Sequence, residues 1–262
     1  MKQFYLTKID NYSIKSYFKP GMFLCKSDLD ILLNDLIIIK QNSNSPDIGI
    51  FSKSYDIDFF LKNIIISVIY FDELPIGFYY HFIYNHPTVN VIHKGLVIIT
   101  KNVGLDLLGL VGMVLANIAY INLGEYYFSA ITYIPKIIES ISENTNDLWP
   151  QPLLNNQRPP QKIYTDLFNY CVKEYQKFFL DINETMLIND KKFKVKILKD
   201  SKECSVNFDN VSLANNFNYN FFMFMWLDYK SGELLFPIGR YLDNSFNKNN
   251  YILKNKFNID LK

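Results

Sequence analysis

The stretch that most limits the fold runs from Val89 to Tyr133. A β-rich run, Val89–Thr100, passes through a glycine-containing turn into a long small-residue helix, Gly104–Ile121, and a second β-rich run begins at Tyr126. A strand–turn–helix–strand order predicts a crossover, so Val89–Thr100 and Tyr126–Thr132 are expected to be adjacent parallel strands. Such units carry phosphate or thioester cofactors at their strand ends. Val103–Leu123 also resembles a packed membrane helix, with small residues at Gly104, Gly109, Gly112 and Ala116. Asp106 and Asn117 interrupt it, however, and a bilayer span needs about 20 apolar residues without charge. The sequence therefore predicts a helix buried against a sheet and no transmembrane segment.

The flanking segments complete the outline. The first sixty residues read as α-rich and irregular, with a helix over Asp28–Ile39 entered from Ser27 and a short one over Ser54–Leu61. Asn63–Phe71, Ile76–Tyr84 and Val89–Thr100 read as three strands of an antiparallel meander, because their connections are short. Pro135 opens a helix to Ser142. The polar, proline-rich stretch Trp149–Pro160 reads as a linker. Beyond it, Leu167, Cys171, Tyr175 and Phe178 mark one face of a helix over Tyr164–Leu180. Phe193–Leu198 alternates like a strand. Phe221–Asp228 and Glu233–Arg240 are expected to pair as a hairpin around Gly232, and the tail beyond Asn247 to be frayed.

Composition removes several functions. The 262 residues are 49% hydrophobic, enough for a sizeable core. The net charge of +1 argues against nucleic acid as the main partner. Cys25, Cys171 and Cys204 form neither a disulfide framework nor a CxxC pair. His81, His86 and His93 lack zinc-site spacing, so no metal is expected. The start, MKQFYLTKID, has no signal-peptide apolar region, and a cytoplasmic protein is expected.

The order of three antiparallel strands, glycine turn, crossover helix, parallel strand and further helix resembles the core of the GNAT acyltransferase superfamily. The run VIHKGLVIIT followed by NVGLDLLGL is similar to that family's fourth strand entering its acyl-CoA pyrophosphate turn. The run SAITYIPKIIESISENTNDLWPQP is similar to a segment after the fifth strand in some GNAT-like proteins. The likeness covers roughly Ile64–Pro152. It implies an α/β fold with a mixed, mostly antiparallel sheet, one parallel strand pair and flanking helices. It divides the chain into a GNAT-like core over 1–152, including a helical N-terminal segment, and an α+β extension over 153–262.

The resemblance also implies a donor, acetyl-CoA or another acyl-thioester such as a longer acyl-CoA or an acyl carrier protein. Strand backbone at Val97 and Ile99 would polarise the thioester. The family turn, R/Q-x-x-G-x-G/A, falls on Lys101-Asn102-Val103-Gly104-Leu105-Asp106, where backbone amides and the helix N-terminus would hold the pyrophosphate. An offset register ends at Gly109. Asp106 departs from the family's small residue, and a carboxylate there repels phosphate by roughly 1–4 kcal/mol. As an acid at a helix N-terminus it also has a purely structural reading.

His93 lies mid-strand where the resemblance implies a general base, and an imidazole neutral near pH 7 suits proton removal. If the hairpin turns about Pro87, His81 lies opposite it, and the competing reading is a hydrogen-bonded histidine pair. Gly95 is a candidate β-bulge. Tyr133 would protonate the departing thiolate, and Glu139 either reaches the same mouth or is an exposed helical acid. The expected activity is acyl transfer to an amine on a small molecule or a protein. The alternative is a catalytically inactive GNAT-fold binding or assembly module, which Asp106 favours. A homo-oligomer is compatible with either.

Overall fold

The computed structural model describes residues 4–43, 56–100, 105–151, 160–180, 184–199, 202–203 and 211–261. In chain order these form β1 (Phe4–Ile9), β2 (Tyr12–Phe18), α1 (Pro20–Phe23), α2 (Lys26–Gln41), α3 (Ile57–Lys62), β3 (Ile64–Phe71), β4 (Leu74–Asn85) and β5 (Asn90–Ile99). Then follow α4 (Leu105–Leu123), β6 (Tyr126–Ser129), α5 (Pro135–Asn144), β7 (Asn146–Trp149) and α6 (Lys162–Phe179). The chain ends with β8 (Glu184–Asn189), β9 (Lys194–Lys199), β10 (Lys202–Glu203), α7 (Phe217–Trp226), β11 (Glu233–Leu235), β12 (Ile238–Tyr241) and α8 (Asp243–Phe257). Packing divides the chain into two compact units that interleave along it. One comprises Met1–Ile83, Ile92–Tyr126 and Asp243–Lys262, the other Tyr84–Val91 and Tyr127–Leu242. The 1–152 and 153–262 division follows family resemblance, whereas these units follow contacts.

In the first unit the strand order is β1-β2-β3-β4-β5, and β6, whose first residue belongs to this unit, is next to β5. The sheet is mostly antiparallel with one parallel pair and is flanked by helices. β5 and β6 are neighbours joined by α4, the long connection that a parallel pair requires. β3 is buried along nearly its whole length, as its Ile/Val-rich sequence predicts. The β3–β4 reversal is two residues long, with both Asp72 (φ 47°) and Glu73 (φ 66°) left-handed, as a type I′ turn requires.

Two parts of this unit differ from the sequence expectation. Residues 4–18, expected to be irregular or helical, form an antiparallel hairpin in which β2 pairs with β3. The alternation is there, with Ile14, Ser16 and Phe18 buried on one face, but a serine on the buried face and the large Tyr17 on the other blur it. The tail, expected to be frayed, is the 15-residue helix α8. Its asparagine-rich sequence has poor intrinsic helicity, and packing against α4 supports it instead. Leu253 is fully buried, Asn117 donates to Asn250 at 2.8 Å, and Tyr120 stacks on Phe246 with ring centroids 4.5 Å apart.

In the second unit β12 lies between β6 and β7 and pairs antiparallel with β7. β7 ends at Trp149, the first residue of the expected linker; residues 152–159 lie outside the described residues. β8, β9, β10 and β11 form a small second sheet. The segment expected as the first hairpin strand, Phe221–Asp228, is instead mostly the C-terminal part of α7. A short run apolar on every side satisfies strand and helix templates alike. Asn216 caps the helix, its side chain accepting from the Asn218 amide at 3.0 Å, and burial of Tyr219 and Met223 holds it in place.

Candidate functional site

β5 carries the expected catalytic histidine and strand positions. His93 is buried, 2% exposed, and burial pushes its pKa down to about 3. His81 on β4 is equally enclosed; burial, then the charge of Lys94, then His93 lower it to about 3. Both rings are therefore neutral at pH 7. The His81 ring lies 4.9 Å from that of Tyr79. Lys94, the one lysine of β5, is part-buried, and burial lowers its pKa to about 8. Its Nζ stands 6.0 Å from the centre of the Tyr79 ring. Lys94 has one signal in the sequence, a lone lysine within the mostly apolar run VIHKGLVII, and it is not among the residues the family resemblance points to.

Gly95 has a packing cause. A Cβ there would stand 2.3 Å from Cε2 and 2.4 Å from Cδ2 of the Tyr80 ring, and 2.7 Å from the Tyr80 carbonyl oxygen. Gly77 on β4 likewise faces the Ile98 carbonyl oxygen at 2.9 Å and Ile99 Cγ1 at 3.0 Å. The opposed numbering of these two contacts is that of an antiparallel β4–β5 pair. Val97 and Ile99 are part-buried on β5. Beyond Ile99, the Thr100 amide and hydroxyl both donate to the Ile76 carbonyl, at 2.8 and 2.9 Å.

Lys101 and Gly104, the heart of the expected phosphate turn, lie outside the described residues. Asp106 falls in the first turn of α4. Gly109 is exposed on that helix, and a Cβ there would meet nothing within 4 Å. Tight packing is therefore no reason for glycine at 109, although glycine in a helix interior costs about 1 kcal/mol relative to alanine.

Tyr133 belongs to the second unit, whereas His93, Val97 and Ile99 belong to the first. The Tyr133 side chain packs against an apolar cluster that includes Ile138, Met223 and Tyr229, and its carbonyl accepts from the Tyr229 hydroxyl at 3.1 Å. Glu139, in the same unit, is buried rather than exposed. It accepts from Lys136 Nζ at 2.6 Å, from the Asn216 amide at 2.7 Å and from the Asn215 amide at 3.1 Å. Burial alone would raise its pKa. The Lys136 hydrogen bond and the two amides outweigh that and hold the carboxyl below its ordinary value. The two amide contacts fasten the start of α7 to α5, a structural task.

Among the described residues no cluster of three or more His, Cys, Asp or Glu could hold a metal ion, and no helix is long and apolar enough to cross a membrane. No protein-family model and no curated protein matches the chain. Among solved structures it is similar to a Bacteroides thetaiotaomicron protein assigned to the GNAT acetyltransferase family. That likeness has 9% identity and a TM-score of 0.30, covering 90% of this chain and 97% of the other. At that level the fold reading rests on the element order itself.

Proposed function

We propose that the chain transfers an acyl group from an acyl-thioester to an amine. The observation that supports this reading is the order β3-β4-β5-α4-β6-α5, with β5 and β6 neighbours joined by the 19-residue α4. In this reading acetyl-CoA, a longer acyl-CoA or an acyl carrier protein supplies the acyl group. Backbone at Val97 and Ile99 faces the thioester. The turn from Lys101 through Gly104 to Asp106, with Gly109 one helical turn on, receives the phosphates. The acceptor is a small-molecule or protein amine.

Two β5 side chains compete to be the base. His93 is neutral but sealed, and a pKa of about 3 makes it a weak proton acceptor. Lys94 is part-exposed with a pKa of about 8, so roughly a tenth of it is neutral at pH 7. Lys94 is therefore the better candidate for proton transfer.

A second reading, a binding or assembly module without catalysis, draws support from the burial of both histidines and from the Tyr80 ring over Gly95. Calorimetry with acetyl-CoA and octanoyl-CoA at low salt separates the two. Acyl transfer predicts weak donor binding that Asp106→Gly strengthens about tenfold or more, by removing a negative charge beside the phosphates. Absence of binding by both proteins to either donor and to an acyl carrier protein would leave the module reading.

A further inference from the structure

We propose that the outer face of α7 is a self-association surface that packs against the same face of a second copy of this chain. α7 is apolar on nearly every side, FNYNFFMFMW, a pattern that belongs to a helix covered all round. Its inner side is covered: Tyr219 and Met223 are buried in the apolar cluster of this unit. Its outer side has no such cover among the described residues. Phe217, Phe221 and Met225 recur every fourth residue and are 72%, 55% and 71% exposed. Leu213, one step before them in the chain, is also exposed.

The face is held in place. Glu139 binds the amides of Asn215 and Asn216, the Asn220 side chain accepts from the Ala214 amide and donates to its carbonyl, and the Tyr219 hydroxyl bonds Ser142 at 2.9 Å. Phe217 and Phe221 already stack on one another, with centroids 6.4 Å apart. A pre-ordered apolar face loses little entropy on docking.

Charge and area select the occupant. The run from Val211 to Leu227 carries no charge, so α7 itself opposes no like charge across a two-fold axis, and each copy offers the surface the other needs. A membrane surface is the weaker fit, because interfacial helices carry lysine or arginine on their polar face and α7 has none. The three side chains expose roughly 400 Å² per copy at about 200 Å² each. Two copies with their neighbours would bury about 1,000 Å², at the low end of specific interfaces. The dimer is accordingly weak, with a Kd in the micromolar range or above.

Sedimentation velocity on the full chain across a concentration series tests this. The expected result is a reversible monomer–dimer equilibrium whose Kd rises about tenfold or more in Phe221→Asp, which places two carboxylates at the centre of the contact. Phe217→Ser provides a milder second variant, and circular dichroism confirms that each is folded. A wild-type protein that stays monomeric up to its solubility limit overturns the proposal. So does a dimer that neither folded variant weakens. Binding of the wild type to phosphatidylcholine vesicles, lost in Phe221→Asp and without self-association, would assign the face to lipid instead.

Discussion

Replacing Glu139 should disconnect the start of α7. Its carboxylate is the acceptor for two amides, those of Asn215 and Asn216, and Asn216 is the N-cap residue of α7. The third partner, Lys136, has a side chain that is 43% exposed, so that pair is screened and contributes little. The amides matter more: an enclosed donor left without an acceptor costs about 1–3 kcal/mol. Asn215 and Asn216 are exposed residues that water can reach in part, which favours the lower half of that range. Glu139→Ala is therefore expected to cost about 2–4 kcal/mol, and Glu139→Gln, which keeps one acceptor oxygen, about 1–2 kcal/mol. Urea denaturation measures both. Amide hydrogen exchange at residues 215 and 216 localises the effect, with protection lost there before the rest of the unit. The pH dependence has a definite sign. The folded-state carboxyl lies below its unfolded value, so its stabilisation is present above the ordinary carboxylate pKa of about 4.3 and disappears as pH falls through the folded value. The gap between wild type and Glu139→Gln should thus shrink only in acid. A loss below about 0.5 kcal/mol with unchanged exchange, or a gap that widens in acid, would refute the assignment.

Two further outcomes bear on β5. Gly95→Ala should destabilise the first unit by about 1–3 kcal/mol, because its methyl group would meet both the Tyr80 ring and the Tyr80 carbonyl oxygen. Tyr80→Leu in the same chain should recover part of that loss in a double-mutant cycle, and additive costs would mean that the two do not touch. If the chain is an acyltransferase, Lys94→Gln should lower kcat about 10²–10⁴-fold and remove an ionisation near pH 8 from the rate profile, with donor affinity kept. His93→Gln should instead lower the melting temperature with little change in rate per folded molecule; the reverse pattern in the two variants would return the proton-transfer role to His93.

The parts of the fold that could be read from residues are those with a local cause. The Ile/Val run of β3 is buried whatever surrounds it, and the long small-residue α4 between two β-rich runs leaves few choices but a crossover. Where the signal is shared between templates, only tertiary contacts decide. Residues 4–18 became strands because β2 found the edge of β3, and the asparagine-rich α8 became a helix because α4 offered Asn117 and Tyr120 to hold it. Phe221–Asp228 is apolar on every side, so the chain outside it chose helix over strand.

The candidate site divides in the same way. His93 and Gly95 stand out in the sequence by residue type, but residue type does not reveal enclosure. Burial lowered the histidine far below neutrality and brought the Tyr80 ring over the glycine. Lys94 and Glu139 acquired their character in the opposite sense: an ordinary strand lysine and an ordinary helical acid were given unusual surroundings by segments distant in the chain. A side chain's identity is local, whereas its solvation and its partners are set by whatever the fold brings beside it.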